Sequence, residues 1–141
     1  MRRFTLSALA LGCALAAISC NENSRPGGID FATQIKPILE NRCVTCHHSG
    51  ALLGDLNLES RALAFRQRAR GPVIVPGAPA QSQLYTVLTL PEGERKAMPP
   101  TGHRIPADEV NAMKRWISEG ARWPEGSQGV VRSAMTKPDA S

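Results

Sequence analysis

Two cysteines and a histidine stand close together in the stretch Cys43-Val44-Thr45-Cys46-His47. Thiols three positions apart project from the same side of a helical turn, where each can add across one of the two vinyl groups of a haem. The imidazole that follows then lies within reach of the iron of the tethered ring. The spacing therefore indicates covalent attachment of one c-type haem through Cys43 and Cys46, with His47 as the proximal iron ligand.

A Cys-x-x-Cys pair also serves other chemistry. A thioredoxin-like redox pair needs a βαβ context, and a structural zinc site needs two further cysteine or histidine ligands. The sequence shows neither context, since the other two cysteines, Cys13 and Cys20, lie at the N-terminus. Haem is favoured over both alternatives. His48 points elsewhere on a helical turn than His47 and is interpreted as a surface residue or a neighbour of the ligand.

The candidates for a sixth iron ligand are Met98, Met113, Met135, His48 and His103. Met113 lies on the apolar face of the last predicted helix and is assigned to the core, whereas Met135 belongs to the C-terminal tail. Met98 precedes two prolines, which restrict the backbone and stiffen the loop that carries the thioether. Met98 is therefore the predicted distal ligand, with His103 as the alternative.

A histidine and methionine pair fills both axial positions of the iron and raises its reduction potential. These properties favour electron transfer over catalysis, so the chain is predicted not to be an enzyme. Two alternatives remain open. In the first, Met98 is labile and the protein is a haem-based ligand sensor or binding module; in the second, the chain is the cytochrome subunit of a larger dehydrogenase.

The N-terminus is typical of an export signal. Arg2 and Arg3 precede an uncharged apolar run over residues 4–18, which is too short for a membrane span. The tetrapeptide Ala17-Ile18-Ser19-Cys20 resembles a bacterial lipobox, which predicts that Cys20 becomes the lipidated first residue. Asn21 then follows in place of the aspartate that retains many lipoproteins at the inner membrane. The expected location is the periplasmic face of a membrane, with the outer membrane favoured.

Composition and charge predict the rest of the organisation. The expected segments are a signal peptide over 1–19, a flexible tether over 20–29, one domain over 30–125 and a disordered tail over 126–141. The net charge of +5 is small and scattered, which argues against nucleic acid as a partner. Aromatic residues make up 4% of the chain, with 12 glycines and 11 prolines, so a haem is expected to complete a thin core.

Apolar spacing and capping residues predict helices joined by long loops. The predicted helices are one kinked at or beginning near Pro37, a short one from Ser60 to Arg68, one over 83–90 with Ser82 as its N-cap, and one from Asp108 to Gly120. The residues expected to be apolar walls are Phe31, Ile38, Leu39, Leu56, Leu84, Val87, Leu88, Met113, Trp116, Ile117 and Trp123.

From Phe31 to Pro124 the chain resembles the planctomycete-type cytochrome c domain, a single-haem member of the cytochrome c superfamily. The matching stretches are Ile35-Lys36-Pro37-Ile38-Leu39, the cysteine motif, Leu56-Asn57-Leu58, Val75-Pro76-Gly77, Ser82-Gln83-Leu84, Met98-Pro99-Pro100 and Trp116-Ile117-Ser118-Glu119-Gly120-Ala121. The resemblance implies an all-α fold, a small helical domain with long loops wrapped around one covalently bound haem. It assigns attachment to Cys43 and Cys46, and the iron to His47 and Met98.

The expected partners are redox proteins close to the membrane surface. Four arginines, Arg61, Arg66, Arg68 and Arg70, form a local basic segment. They are candidates for contact with the haem propionates or with an acidic redox partner. A solvated helix face is the simpler interpretation.

Overall fold

The computed structural model describes residues 27–100 and 102–134. Helix α1 covers 31–43 as three consecutive segments: a π-helical turn Phe31–Ile35, an α-helical piece Lys36–Ile38 and a second π-helical turn Leu39–Cys43. The remaining elements, in order, are β1 (His47–His48), β2 (Ala51–Leu52), a 3-10 turn Leu53–Asp55, α2 (Arg61–Ala64), a 3-10 turn Pro79–Gln81, α3 (Gln83–Thr89), α4 (Ala107–Ser118) and a 3-10 turn Gly126–Gly129. Within the described ranges, no helix combines the length and the apolar character needed to cross a membrane.

Helix α1 begins well before Pro37. The carboxylate of Asp30 caps it by accepting hydrogen bonds from the backbone N–H of Thr33 at 2.9 Å and from its hydroxyl at 2.7 Å. Pro37 has no N–H to donate to the preceding turn, and the helix is wide on both sides of it. The proline is thus accommodated by π-helical turns within a continuous helix, and does not mark the beginning of one.

The expectation of an all-α fold is wrong. Strands β1 and β2 form an antiparallel two-stranded sheet in which His47 is paired with Leu52 and His48 with Ala51. Fewer than half of the described residues are helical. The physical reason lies in the chain after the sheet, where Gly54 and Asp55 adopt φ values of 69° and 57°. This left-handed conformation cannot continue a right-handed helix.

The core forms where α1 packs against α4. Phe31 of α1 packs against two tryptophans, with ring centroids 6.0 Å from Trp116 and 4.8 Å from Trp123, and the two indole rings are 5.9 Å apart. The indole N–H of Trp116 donates to the carbonyl of Arg122 at 2.9 Å, so the ring is buried without an unpaired donor. Cys43, the last residue of α1, belongs to the same buried cluster as these rings.

An ion pair also joins these helices. The guanidinium of Arg42 makes two hydrogen bonds, each of 3.0 Å, with the carboxylate of Glu109 in the first turn of α4.

Of the residues expected to be apolar walls, all are buried except Leu56 and Val87, which are half-buried. Helix α4 ends before Gly120 as predicted: Glu119 is its C-cap and Gly120 takes a φ of 102°.

Residues 126–134, expected to belong to a disordered tail, pack onto the domain. Val131 is fully buried and its N–H donates to the carbonyl of Glu59 at 2.9 Å. The carbonyl of Gly129 accepts a 2.7 Å hydrogen bond from the indole of Trp123. A Cβ at Gly129 would lie 1.8 Å from the carbonyl oxygen of Pro124, so only glycine permits this approach. The tail from residue 135 onward, the signal peptide and most of the tether lie outside the described residues.

Ser82 precedes α3 as predicted, but its side chain does not cap that helix. The hydroxyl is completely buried, accepts a 2.9 Å hydrogen bond from the N–H of Val75 and donates to the carbonyl of Ala78 at 3.0 Å. It therefore closes the loop 75–82 on itself. Ser60, in contrast, does cap α2, which ends at Ala64 and so is shorter than predicted.

Replacing Ser82 by alanine should destabilise the protein by about 1–3 kcal/mol, because the partly buried N–H of Val75 would lose the hydroxyl that accepts its hydrogen bond. Ser118→Ala is the matched control, since that exposed hydroxyl donates only to the carbonyl of Lys114. We expect the control to change the free energy of unfolding by less than about 0.5 kcal/mol. Denaturant unfolding of both variants measures the difference, and equal unfolding midpoints would refute it.

Candidate haem site

The two thiols lie on one turn at the end of α1. Cys43 is the final residue of the helix, and the N–H of Cys46 donates to its carbonyl at 3.1 Å. Both cysteines are free. Cys43 is only 8% exposed because it faces the core, whereas Cys46 is exposed. The motif thus places one thiol inside the domain and the other at its surface.

His47 follows as the first residue of β1 and is half-buried. Its Nδ1 lies 2.9 Å from the carbonyl oxygen of Leu53. A carbonyl can only accept, so Nδ1 carries the proton and Nε2 keeps its lone pair. Histidines that bind a metal through one ring nitrogen commonly donate the N–H of the other nitrogen to a backbone carbonyl, as His47 does here. Burial lowers the pKa of His47, and the positive charge of Arg68 lowers it further. The hydrogen bond to Leu53 acts in the opposite direction but is outweighed, so the neutral imidazole is favoured.

The turn that presents the Leu53 carbonyl is itself held by two arginines. Nη2 of Arg68 donates to the carbonyl of Gly54 at 2.6 Å. Arg66 donates to the backbone carbonyl of Asp55 at 2.9 Å and also to its carboxylate. Arg66 and Arg68 therefore hold the turn that carries the Leu53 carbonyl, the hydrogen-bond partner of His47. Sequence reasoning missed this arrangement, although Gly54 was a signal for a turn.

Met98 lies in the long loop between α3 and α4 and is half-buried. Its backbone N–H donates to the carbonyl of Val87 at 2.9 Å, which ties the loop to α3. Arg104 closes the same loop by donating to the carbonyls of Leu88 and Leu90, each at 2.7 Å. The predicted distal ligand therefore sits on a segment whose backbone is anchored at both ends.

The other sixth-ligand candidates have different surroundings. Met113 is completely buried in the core, which confirms its structural assignment. His103 is exposed in the same loop as Met98. His48 is half-buried, and its Nδ1 accepts a 3.1 Å hydrogen bond from the N–H of Gly50. Met135 lies outside the described residues.

These residues fit a covalently attached haem. The chain offers two free thiols on one turn, an imidazole whose Nε2 is available, and the buried guanidinium of Arg68 beside it. In the described part of the chain, no group of three or more His, Cys, Asp or Glu side chains is arranged to hold a metal ion. A haem iron receives its equatorial ligands from the porphyrin, so His47 and one further side chain are what the protein has to contribute.

Residues 43–102 match the family model described as Planctomycete cytochrome C. The match begins at the first cysteine of the motif, includes Met98 and covers somewhat less than half of the chain. No curated protein and no solved structure matches the chain. The resemblance inferred from the sequence motifs is confirmed over these residues.

The buried cysteine should react far more slowly than the exposed one. Desolvation, with the nearby charge of Glu109, raises the pKa of the Cys43 thiol to about 12. Only about 10⁻⁵ of it is then thiolate at pH 7, and that fraction rises about tenfold per pH unit until the pH approaches the pKa. In the folded, haem-free chain we therefore expect iodoacetamide to alkylate Cys46 first.

Mass spectrometry of timed peptide digests measures the two rates. Denatured chain is the control, because both thiols are then open to water and should react at similar rates. Similar rates in the folded chain as well would show that Cys43 is not shielded.

Proposed function

We propose that this chain, whose residues 43–102 form a domain of the Planctomycete cytochrome C family, is a single-haem cytochrome that carries single electrons. The match to this family supports a haem-binding electron-transfer protein over a catalytic enzyme. The finer proposal is covalent attachment through Cys43 and Cys46, with His47 and Met98 as the axial ligands. The observation that carries it is the hydrogen bond from His47 to the Leu53 carbonyl, because it leaves Nε2 as the free ligand atom.

The protein's part in this function is to position the residues that hold the haem. A bound haem supplies an iron that exchanges one electron at a time. Cys43 at the end of α1 is fixed by the packing of that helix against α4, so the attachment turn has a defined place. His47 is oriented by the Leu53 carbonyl, and the loop of Met98 is tied to α3.

Met98 decides between electron transfer and ligand binding. A thioether opposite an imidazole favours the reduced iron and leaves no open coordination site. Met98 supports this role better than His103 does, because it is half-buried and its backbone is hydrogen-bonded to α3, whereas His103 is exposed. A permanently closed site suits a carrier of electrons.

Met98→Ala should abolish the six-coordinate, low-spin spectrum, including the near-red sulfur-to-iron charge-transfer band of the oxidised form. The reduction potential should fall and carbon monoxide should bind at once, because a coordination site opens. Met113→Leu is the matched control: it removes the fully buried thioether of the core at similar volume and should leave the spectrum unchanged.

His103→Ala tests the alternative ligand. Loss of the low-spin spectrum in His103→Ala, together with its retention in Met98→Ala, would show that His103 and not Met98 is the distal ligand. Immediate carbon monoxide binding by the unaltered protein would favour the ligand-sensor alternative over the electron carrier.

The location proposed for this domain is the periplasmic face of the outer membrane, with a lipid on Cys20. Its support is the leader sequence and the short distance from Cys20 to the domain. The chain enters the domain at the end of α4, where the N–H of Ile29 donates to the carboxylate of Glu119 at 2.7 Å. Fully extended, residues 20–26 span about 25 Å. Redox partners are therefore expected close to the membrane surface.

Cys20→Ser should release the mature protein from the membrane into the soluble periplasmic fraction, since the lipid would have no attachment site. Cys13→Ser is the control, because that cysteine belongs to the discarded leader and its loss should leave the protein in the membrane fraction. Cell fractionation with detection of the haem measures both. Membrane retention of the Cys20→Ser variant would argue against lipidation at this residue.

A further inference from the structure

Arg68 is buried in a way that leaves part of its charge unpartnered. Its side chain is 5% exposed, and Nη2 is used for the carbonyl of Gly54. The Nε atom is buried and has no hydrogen-bond partner. The nearest carboxylate oxygen, on Asp55, is 4.0 Å away, which is too far for a hydrogen bond. A buried cationic donor without an acceptor is costly unless an anion completes the site.

This guanidinium lies beside the proposed proximal ligand. Two consecutive carbonyls of one turn hold the two side chains: Leu53 accepts from His47 and Gly54 accepts from Arg68. The positive charge of Arg68 lowers the pKa of the His47 imidazole. The unpartnered Nε is thus fixed at the same turn as the imidazole that the proposed function assigns to the iron.

The charges around this turn are unbalanced. Arg66, Arg68 and Arg70 all interact electrostatically with the carboxylate of Asp55, and Arg66 takes one of its oxygens by a direct hydrogen bond. Arg66 and Arg70 in turn repel the charge of Arg68. Three guanidinium groups therefore share one carboxylate at this turn. A second carboxylate would both balance the charge and supply the missing acceptor.

We propose that Arg68 binds a propionate carboxylate of the haem through its unpartnered Nε. This inference rests on the proposed function, which supplies the haem. A guanidinium presents parallel donors that match the two oxygens of a carboxylate, and it stays charged at every physiological pH. Arg68 is in this role a positioning residue: it orients the ring relative to His47 and offsets the propionate charge that would otherwise favour oxidised iron.

The test compares Arg68→Gln, Arg68→Lys and Arg70→Gln in the full, haem-loaded protein. Arg68→Gln should shift the propionate bending mode in the resonance Raman spectrum and lower the reduction potential, while the axial-ligand spectrum stays that of the unaltered protein. Arg68→Lys should recover most of the potential but not the mode, because an ammonium keeps the charge without the paired donors. Arg70→Gln removes the same charge from an exposed position and should leave the mode in place.

An unchanged bending mode in Arg68→Gln overturns the proposal, whatever the potential does. So does an equal shift of the mode in Arg70→Gln, since that would be a general effect of charge. Where Arg68→Gln yields too little folded protein, the mode of Arg68→Lys decides in the same way. Failure of the proposed function is a separate outcome, because it would appear in the spectrum of the unaltered protein.

Discussion

The hydrogen bond from Nδ1 of His47 to the carbonyl oxygen of Leu53 determines which imidazole nitrogen is left for a metal. For that carbonyl to face the ring, the chain after the cysteine motif has to reverse direction within a few residues. It does so through the β1–β2 pair and the left-handed conformations of Gly54 and Asp55. The same requirement explains why this region is not helical and why the all-α expectation fails here.

Attachment of the motif to the domain depends on the contact between α1 and α4. Phe31, Trp116 and Trp123 form the centre of that contact, and the Arg42 and Glu109 pair lies at its edge. Since Cys43 ends α1, the packing that fixes the helix also buries this thiol. A buried, protonated thiol is a poor nucleophile, whereas the exposed thiol of Cys46 is open to solvent.

The basic segment, which begins in α2 and continues beyond it, illustrates how residues that resemble a solvated face acquire separate roles. Arg61 lies over the ring of Phe65 at 5.0 Å and pairs with Glu125 at the surface, as the simpler interpretation expected. Arg66 and Arg68 instead turn back to the carbonyls of the 53–55 turn, and Arg68 is buried there. Helix α2 ends early, and the arginines beyond it support the site.

The amino-acid sequence determined the features that depend on neighbouring residues: the cysteine and histidine motif, the match of residues 43–102 to the family model, the Ser60 cap and the end of α4 before Gly120. Each follows from side chains and backbone angles within one or two turns. Only the tertiary structure decided that the Leu53 carbonyl orients His47, that the Ser82 hydroxyl closes a loop and that Val131 completes the core. These contacts join segments that are distant in sequence or belong to irregular backbone. In such segments the periodicity of apolar residues does not predict which groups will be in contact. They form because each buried donor, acceptor or apolar group must find its complement once the chain is folded.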